Sequence, residues 1–114
     1  MKVIKEKIEI GELKEMSEKM FGNLVKVMID VEKEIMAVDA PMHSDLLEFL
    51  MEKENCEPKD LWGINIYPEK FGFGNDFIEF DSMMNFKPGL GNKSRGIEDE
   101  KIREKIIEIV KKLT

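Results

Sequence analysis

Between residues 25 and 31 the chain sets Val25, Val27, Ile29 and Val31 on alternate positions, with Lys26, Met28 and Asp30 between them. A period of two sends successive side chains to opposite faces of a strand, and β-branched residues fit a pleated surface. The segment therefore calls for a sheet with an apolar face. A turn at Glu32 to Glu34 returns the chain as a second strand, Ile35 to Val38.

The same periodicity recurs from Leu61 to Tyr67, where Trp62, Ile64 and Ile66 share one face and Asn65 and Tyr67 the other. Pro68 ends this third central strand, and a loop at 71–76 containing Gly72 and Gly74 leads to a strand at 77–81. The segment from Met83 to Lys87 is expected to be extended. Nearer the start, Val3 to Ile10 alternates Ile and Val with Lys and Glu as a strand. A helix follows, with Leu13, Met16, Met20 and Phe21 at helical spacing and Gly22 as its stop. Ser44 is the expected N-cap of a short helix carrying Leu46, Leu47, Leu50 and Met51. Asp99 caps a final helix with Ile102, Ile106, Ile109, Val110 and Leu113 on one stripe. The fold class is α+β: a mostly antiparallel sheet of about five to six strands, two longer helices and one short helix, with helices covering a face. One domain spans residues 1–114.

Apolar runs are broken by charge every few residues and none nears the roughly 20 residues of a membrane span. The first residues alternate charge with Ile, unlike a signal peptide, so a cytoplasmic protein is expected. Cys56 is the sole cysteine, which excludes an intramolecular disulfide and a thiolate zinc site. Abundant Lys and Glu with no Gln lean toward a thermophilic source. The net charge of −6 argues against nucleic acid, yet it is uneven. Residues 82–97 hold Lys87, Lys93 and Arg95 with no acid, so one local site can attract an anion.

Three places carry candidate chemistry. The polar sheet face gathers Asn65, Glu79, Asp81 and Asn85, with Lys26 and Asp30 from the earlier hairpin, and suits a polar ligand. Glu79 and Asp81 are there the candidate ligands for Mg²⁺, whose preferred partners are oxygens. The plainer account is the water-facing side of an antiparallel sheet. His43 and Asp45 are a second candidate, the aspartate orienting an imidazole that serves as base or ligand. Against this, an Asp in the first helical turn is explained by the helix dipole alone. The loop from Pro88 to Gly96 is the third, with Asn92, Lys93, Ser94 and Arg95 as candidate ligand-binding residues just before a helix. It is no Walker loop, since the required glycines fall on Lys87 and Asn92, and no dinucleotide glycine pattern is complete.

Four segments taken in order resemble a family of short, uncharacterised prokaryotic proteins that is catalogued as a domain of unknown function. They are His43-Ser44-Asp45, Leu61 to Glu69 (LWGINIYPE), Glu79 to Asn85 (EFDSMMN), and Gly91 to Gly96 (GNKSRG) with Glu98-Asp99. The resemblance spans nearly the whole chain and implies no particular reaction. Where members carry a Gly-Gly-Glu-like approach to the His, this chain has Asp39-Ala40-Pro41, which removes a carboxylate beside His43.

Two functions compete. The first is a domain binding an anionic or polar small molecule, with phosphate fitting the basic loop. If it is an enzyme, Glu79 or Asp81 serves as base or Mg²⁺ ligand and His43 as proton carrier. The second is a non-catalytic interaction module or homo-oligomer that uses an exposed sheet edge or aromatic residues such as Trp62, Phe71 and Phe73.

Overall fold

The computed structural model describes all 114 residues. Five strands, β1 (Lys2–Ile4), β2 (Val25–Asp30), β3 (Ile35–Val38), β4 (Leu61–Ile66) and β5 (Ile78–Glu79), form one antiparallel sheet in the order β1-β3-β2-β4-β5. Three helices accompany them: α1 (Ile10–Met20), α2 (His43–Glu54) and α3 (Glu100–Leu113). The α+β class and the antiparallel sheet are as the sequence leads one to expect, and no helix is long and apolar enough to cross a membrane.

Strands β2 and β4 form the centre, paired from Val25↔Ile66 to Asp30↔Leu61. Their apolar face, Val25, Val27, Ile29, Trp62, Ile64 and Ile66, packs with Leu13 of α1 and with Ile106, Ile109, Val110 and Leu113 of α3 in one continuous core. Asp99 caps α3 as expected, its Oδ1 accepting the Lys101 N–H at 2.8 Å.

Helices cover both faces, not one. On the other side α2 lays Leu46 and Leu50 over Met28, Ala37 and Leu61, sealing a second core. The face expected to be wet is therefore dry over β3 and the start of β4. Only its end near Asn65 stays open to polar chemistry. The helix that does this has 12 residues against 11 in α1, so it is not short, and Ser44 is not its cap. It begins at His43, and its N-cap position, Met42, provides no side-chain hydrogen bond.

Two strands end sooner than the alternation suggests. β1 stops at Ile4 and β5 holds two residues, pairing with β4 only at Asn65↔Glu79 and Ile66↔Ile78. The strand or extended segment expected at 83–87 begins instead with a single 3₁₀ turn, Met83–Asn85, because the Ser82 hydroxyl accepts the Met84 N–H at 3.1 Å and curls the chain inward. That turn brings Ser82 against Gly63. A Cβ on Gly63 would lie 2.6 Å from Ser82 Cβ and Oγ and 3.1 Å from His43 Cδ2.

A glycine inside a strand marks a close approach of other atoms. Gly63→Ala is accordingly expected to cost about 1–3 kcal/mol through overpacking, read as a lower urea midpoint. Adding Ser82→Gly should recover part of that loss. Additive single effects would mean that the Gly63–Ser82 contact is not the constraint.

Candidate functional site

The site grows from the outer edge of β4. Before Asn65 this edge has no strand partner, and at Gly63 the Asn85 side chain takes the place of one. Gly63 N–H donates to Asn85 Oδ1 at 2.7 Å, and Asn85 Nδ2 donates to Gly63 O at 2.9 Å and Arg95 O at 3.0 Å. The Ser82 N–H donates to the same Arg95 carbonyl at 2.9 Å. Asn92 then holds the following loop, giving Nδ2 to Asn85 O at 2.7 Å and Gly96 O at 2.8 Å while its Oδ1 accepts the Glu98 N–H. Both amides are buried and fully engaged within the chain. They shape the site and leave no group free for a ligand.

Around this scaffold the expected polar residues divide. Asn65 donates to Glu79 Oε1 at 2.8 Å, and the Tyr67 hydroxyl donates to the same oxygen at 2.9 Å. Desolvation, and then the Glu79 carboxylate, hold the Tyr67 phenol above its ordinary pKa. Asn65 Oδ1 is buried with no partner. Arg95 Nε donates to Asp81 Oδ1 at 2.7 Å, an ion pair open to solvent that raises the guanidinium pKa.

Beside this pair lies a cleft of about 120 Å³ lined by Lys26, Met42, His43, Ser44, Ser82, Met83, Met84 and Arg95. Its lining holds two cations and no carboxylate. Lys26 is the cross-strand neighbour of Asn65, and its ammonium lies 5.3 Å from the centre of the Phe21 ring without an acidic partner. The uncapped start of α2 adds free N–H groups and the positive end of the helix dipole.

His43 is only 6% exposed. Its Nε2 lies 2.7 Å from the Ile64 carbonyl oxygen. A carbonyl can only accept, so Nε2 carries the proton and Nδ1 the lone pair in the neutral ring. Nδ1 has no protein partner and is not sealed from solvent. Burial is the main cause lowering the His43 pKa; Lys26 and Arg95 push the same way, while the Ile64 carbonyl and Asp81 oppose them.

Other expected residues stand apart from the cleft. Asp45 lies in the first turn of α2 and makes no hydrogen bond to His43, whose orientation comes from Ile64 instead. Asp30 is consumed in the β2–β3 turn, its Oδ1 accepting the N–H groups of Glu32 and Lys33. Lys93 gives its backbone N–H to Glu98 at 2.5 Å, and Lys93 and Ser94 are exposed outside the cleft lining. No group of three or more His, Cys, Asp or Glu side chains forms a metal-binding cluster. Glu79 and Asp81 are committed to Asn65, Tyr67 and Arg95. Cys56 is buried elsewhere, its thiol pushed up to about 12 by desolvation and then by Asp30. Reasoning from sequence missed Ser82 and the methionines of the cleft. Gly63 inside a strand was the available signal for the close approach.

Two outcomes test this geometry. Asn85→Ala should cost about 3 kcal/mol by stranding buried backbone groups of Gly63 and Arg95. Asn85→Asp should cost at least as much, because a carboxylate would face two carbonyl oxygens; a milder effect would refute the amide's role as a strand substitute. The second outcome concerns pH. The folded His43 pKa lies below the unfolded value of about 6.5, so the unfolded chain binds its proton first as pH falls. Stability due to His43 is full above about 6.5 and lost as pH drops toward the folded pKa. His43 is the only histidine, so the difference between wild type and His43→Gln in urea midpoint across this window isolates it.

Neither a curated protein nor a solved structure matches the chain. The model of the family described as "Protein of unknown function (DUF5674)" matches residues 2–113, and the chain belongs to that family.

Proposed function

We propose that this protein binds a small molecule through an anionic headgroup, with phosphate the best match, in the cleft between the start of α2 and the Asp81–Arg95 pair. The observation carrying this is the convergence of Lys26, Arg95 and the uncapped α2 N-terminus on one lining without a carboxylate. Helix N-termini flanked by cations favour phosphate by dipole, by N–H donation and by charge.

Size narrows the ligand further. At about 120 Å³ the cleft falls short of the roughly 300–1,000 Å³ that encloses a drug-sized molecule. It grips a headgroup and leaves the remainder outside. Met42 and Met83, 58% and 62% exposed, stand at the rim and offer adaptable apolar surface to that remainder. A phosphorylated metabolite with a planar or aliphatic body satisfies both features.

A second function, that of a non-catalytic interaction module or homo-oligomer, rests on a different place. Trp62 is buried in the core and offers no surface for this, but a groove of about 590 Å³ runs between α3 and the β5 edge, lined by Phe77, Ile78, Phe80 and Ile107, with the exposed Phe73 on the neighbouring loop. Mass in solution separates the two. A stable dimer whose β5 edge is buried, together with no ligand response, favours the second.

The direct test is a thermal-shift and calorimetric screen of phosphorylated metabolites and orthophosphate at low ionic strength. A ligand at about a hundred times its Kd adds about 2.7 kcal/mol of stability, raising Tm. Arg95→Ala and Lys26→Ala should each remove most of that shift while leaving the unliganded Tm close to wild type. Equal shifts in wild type and both variants would sink the proposal.

A further inference from the structure

We infer that His43 is a site of covalent phosphorylation, taking a phosphoryl group on Nδ1 from a small nitrogen-linked phosphoryl donor of the phosphoramidate class. The inference rests on the anion-binding function proposed above and adds a chemical step to it. Its basis is the division of labour between the two ring nitrogens. Nε2–H is held by the Ile64 carbonyl at 2.7 Å, which fixes both the tautomer and the ring plane. The lone pair is thereby placed on Nδ1, the one nitrogen with no protein partner, in a side chain 94% buried that lines the cleft.

An imidazole nitrogen is an effective nucleophile when it is unprotonated at working pH and is held next to groups that stabilise the developing charge. Burial keeps the His43 imidazole neutral, with Lys26 and Arg95 acting in the same direction and Asp81 against them. These same two cations line the cleft that an incoming phosphoryl group would occupy. The serine hydroxyls of the cleft are poorer acceptors. Ser82 Oγ already receives the Met84 N–H, and neither Ser44 nor Ser82 makes a hydrogen bond to a base that would take its proton.

The step balances without another reactant. The Nδ1 lone pair attacks phosphorus and forms the N–P bond; the donor's P–N bond breaks, and its electron pair leaves with ammonia, which keeps the protons it carried. The ring gains a positive charge that is shared with the Nε2–H···O=C bond to Ile64 and lies beside Asp81. The transferred phosphoryl oxygens face Lys26 and Arg95. Nothing is oxidised or reduced.

The experiment incubates the full chain with potassium phosphoramidate at neutral pH and follows intact mass. The labelled nitrogen is assigned by ³¹P and ¹H–¹⁵N NMR, and orthophosphate binding is measured in parallel by calorimetry. The expected result is one acid-labile phosphoryl group on Nδ1, formed about tenfold faster than in the urea-unfolded chain. Lys26→Ala and Arg95→Ala should each slow it by about tenfold. His43→Gln keeps an amide donor for the Ile64 carbonyl and should stay folded and unlabelled. Labelling on Nε2, equal rates in folded and unfolded chain, or label retained in His43→Gln would each overturn the inference. Orthophosphate binding without labelling overturns the covalent step and leaves the binding function standing. Loss of both defeats both.

Discussion

The absence of a side chain at Gly63, and the Asn85 amide that bonds its backbone, is the constraint on which the rest of this molecule depends. β5 covers only two residues of β4, so the remaining outer edge of a central strand would lie open. An unpaired edge is both unstable and sticky. The Asn85 side chain closes it by presenting one acceptor and one donor in the spacing a strand would use. Each buried backbone group left unmatched would cost about 1–3 kcal/mol, so the loop that delivers Asn85 is tied energetically to the core. Because Gly63 has no Cβ, Ser82 and the His43 ring can both close on the strand at that point. One residue thus brings β4, the turn after β5 and the start of α2 together, and the cleft lies at their junction.

The electrostatics of that junction run against the whole. The molecule carries −6, whereas the cleft lining holds Lys26 and Arg95 without an acid. On the binding function proposed above, long-range attraction would not bring an anion here, and selection would act at contact distance. Asp81 serves this by holding Arg95 through Nε alone, at 2.7 Å. Solvent-exposed ion pairs contribute about 0–1 kcal/mol, so the pair matters for where it holds the guanidinium and less for stability. The same carboxylate offsets some of the positive charge, leaving Lys26 and the α2 N-terminus as the uncompensated attraction.

Much of this could be seen in the chain before its structure. Alternation in 25–31 and 61–67 located the two central strands, and with the alternation in 77–81 it put Asn65, Tyr67 and Glu79 on one face, where hydrogen bonds join them. Asp99 announced α3. The second helical layer was only faintly legible: Met28, Ala37 and Leu61 come from three different strands, and just the four-residue apolar run Ile35–Val38 hints at burial on both faces. Asn85 and Asn92 looked like ligand groups because an exposed asparagine and one that replaces a backbone partner are spelled alike. What distinguishes them is a contact 22 residues away, from Asn85 to Gly63, and local periodicity cannot encode it. Asp39, with φ at 74°, shows the same limit from another side: it occupies a left-handed conformation that glycine adopts freely, and its residue type alone does not announce it.

Arg95 and His43 each divide between fold and site along a line that chemistry can separate. The Arg95 backbone carbonyl accepts from Ser82 and Asn85 and so belongs to the scaffold, while its guanidinium touches only Asp81 and the cleft. Truncating the side chain leaves every scaffold bond in place. Asn85 has no such division, since its whole side chain is scaffold, and any loss of binding on changing it would report disrupted structure. In His43 the line runs through the ring, with Nε2 bonded to β4 and Nδ1 left to the cleft. Glutamine can reproduce the first nitrogen's donation and has no counterpart to the second's lone pair. The residues that best test function here are therefore those whose structural half survives the substitution.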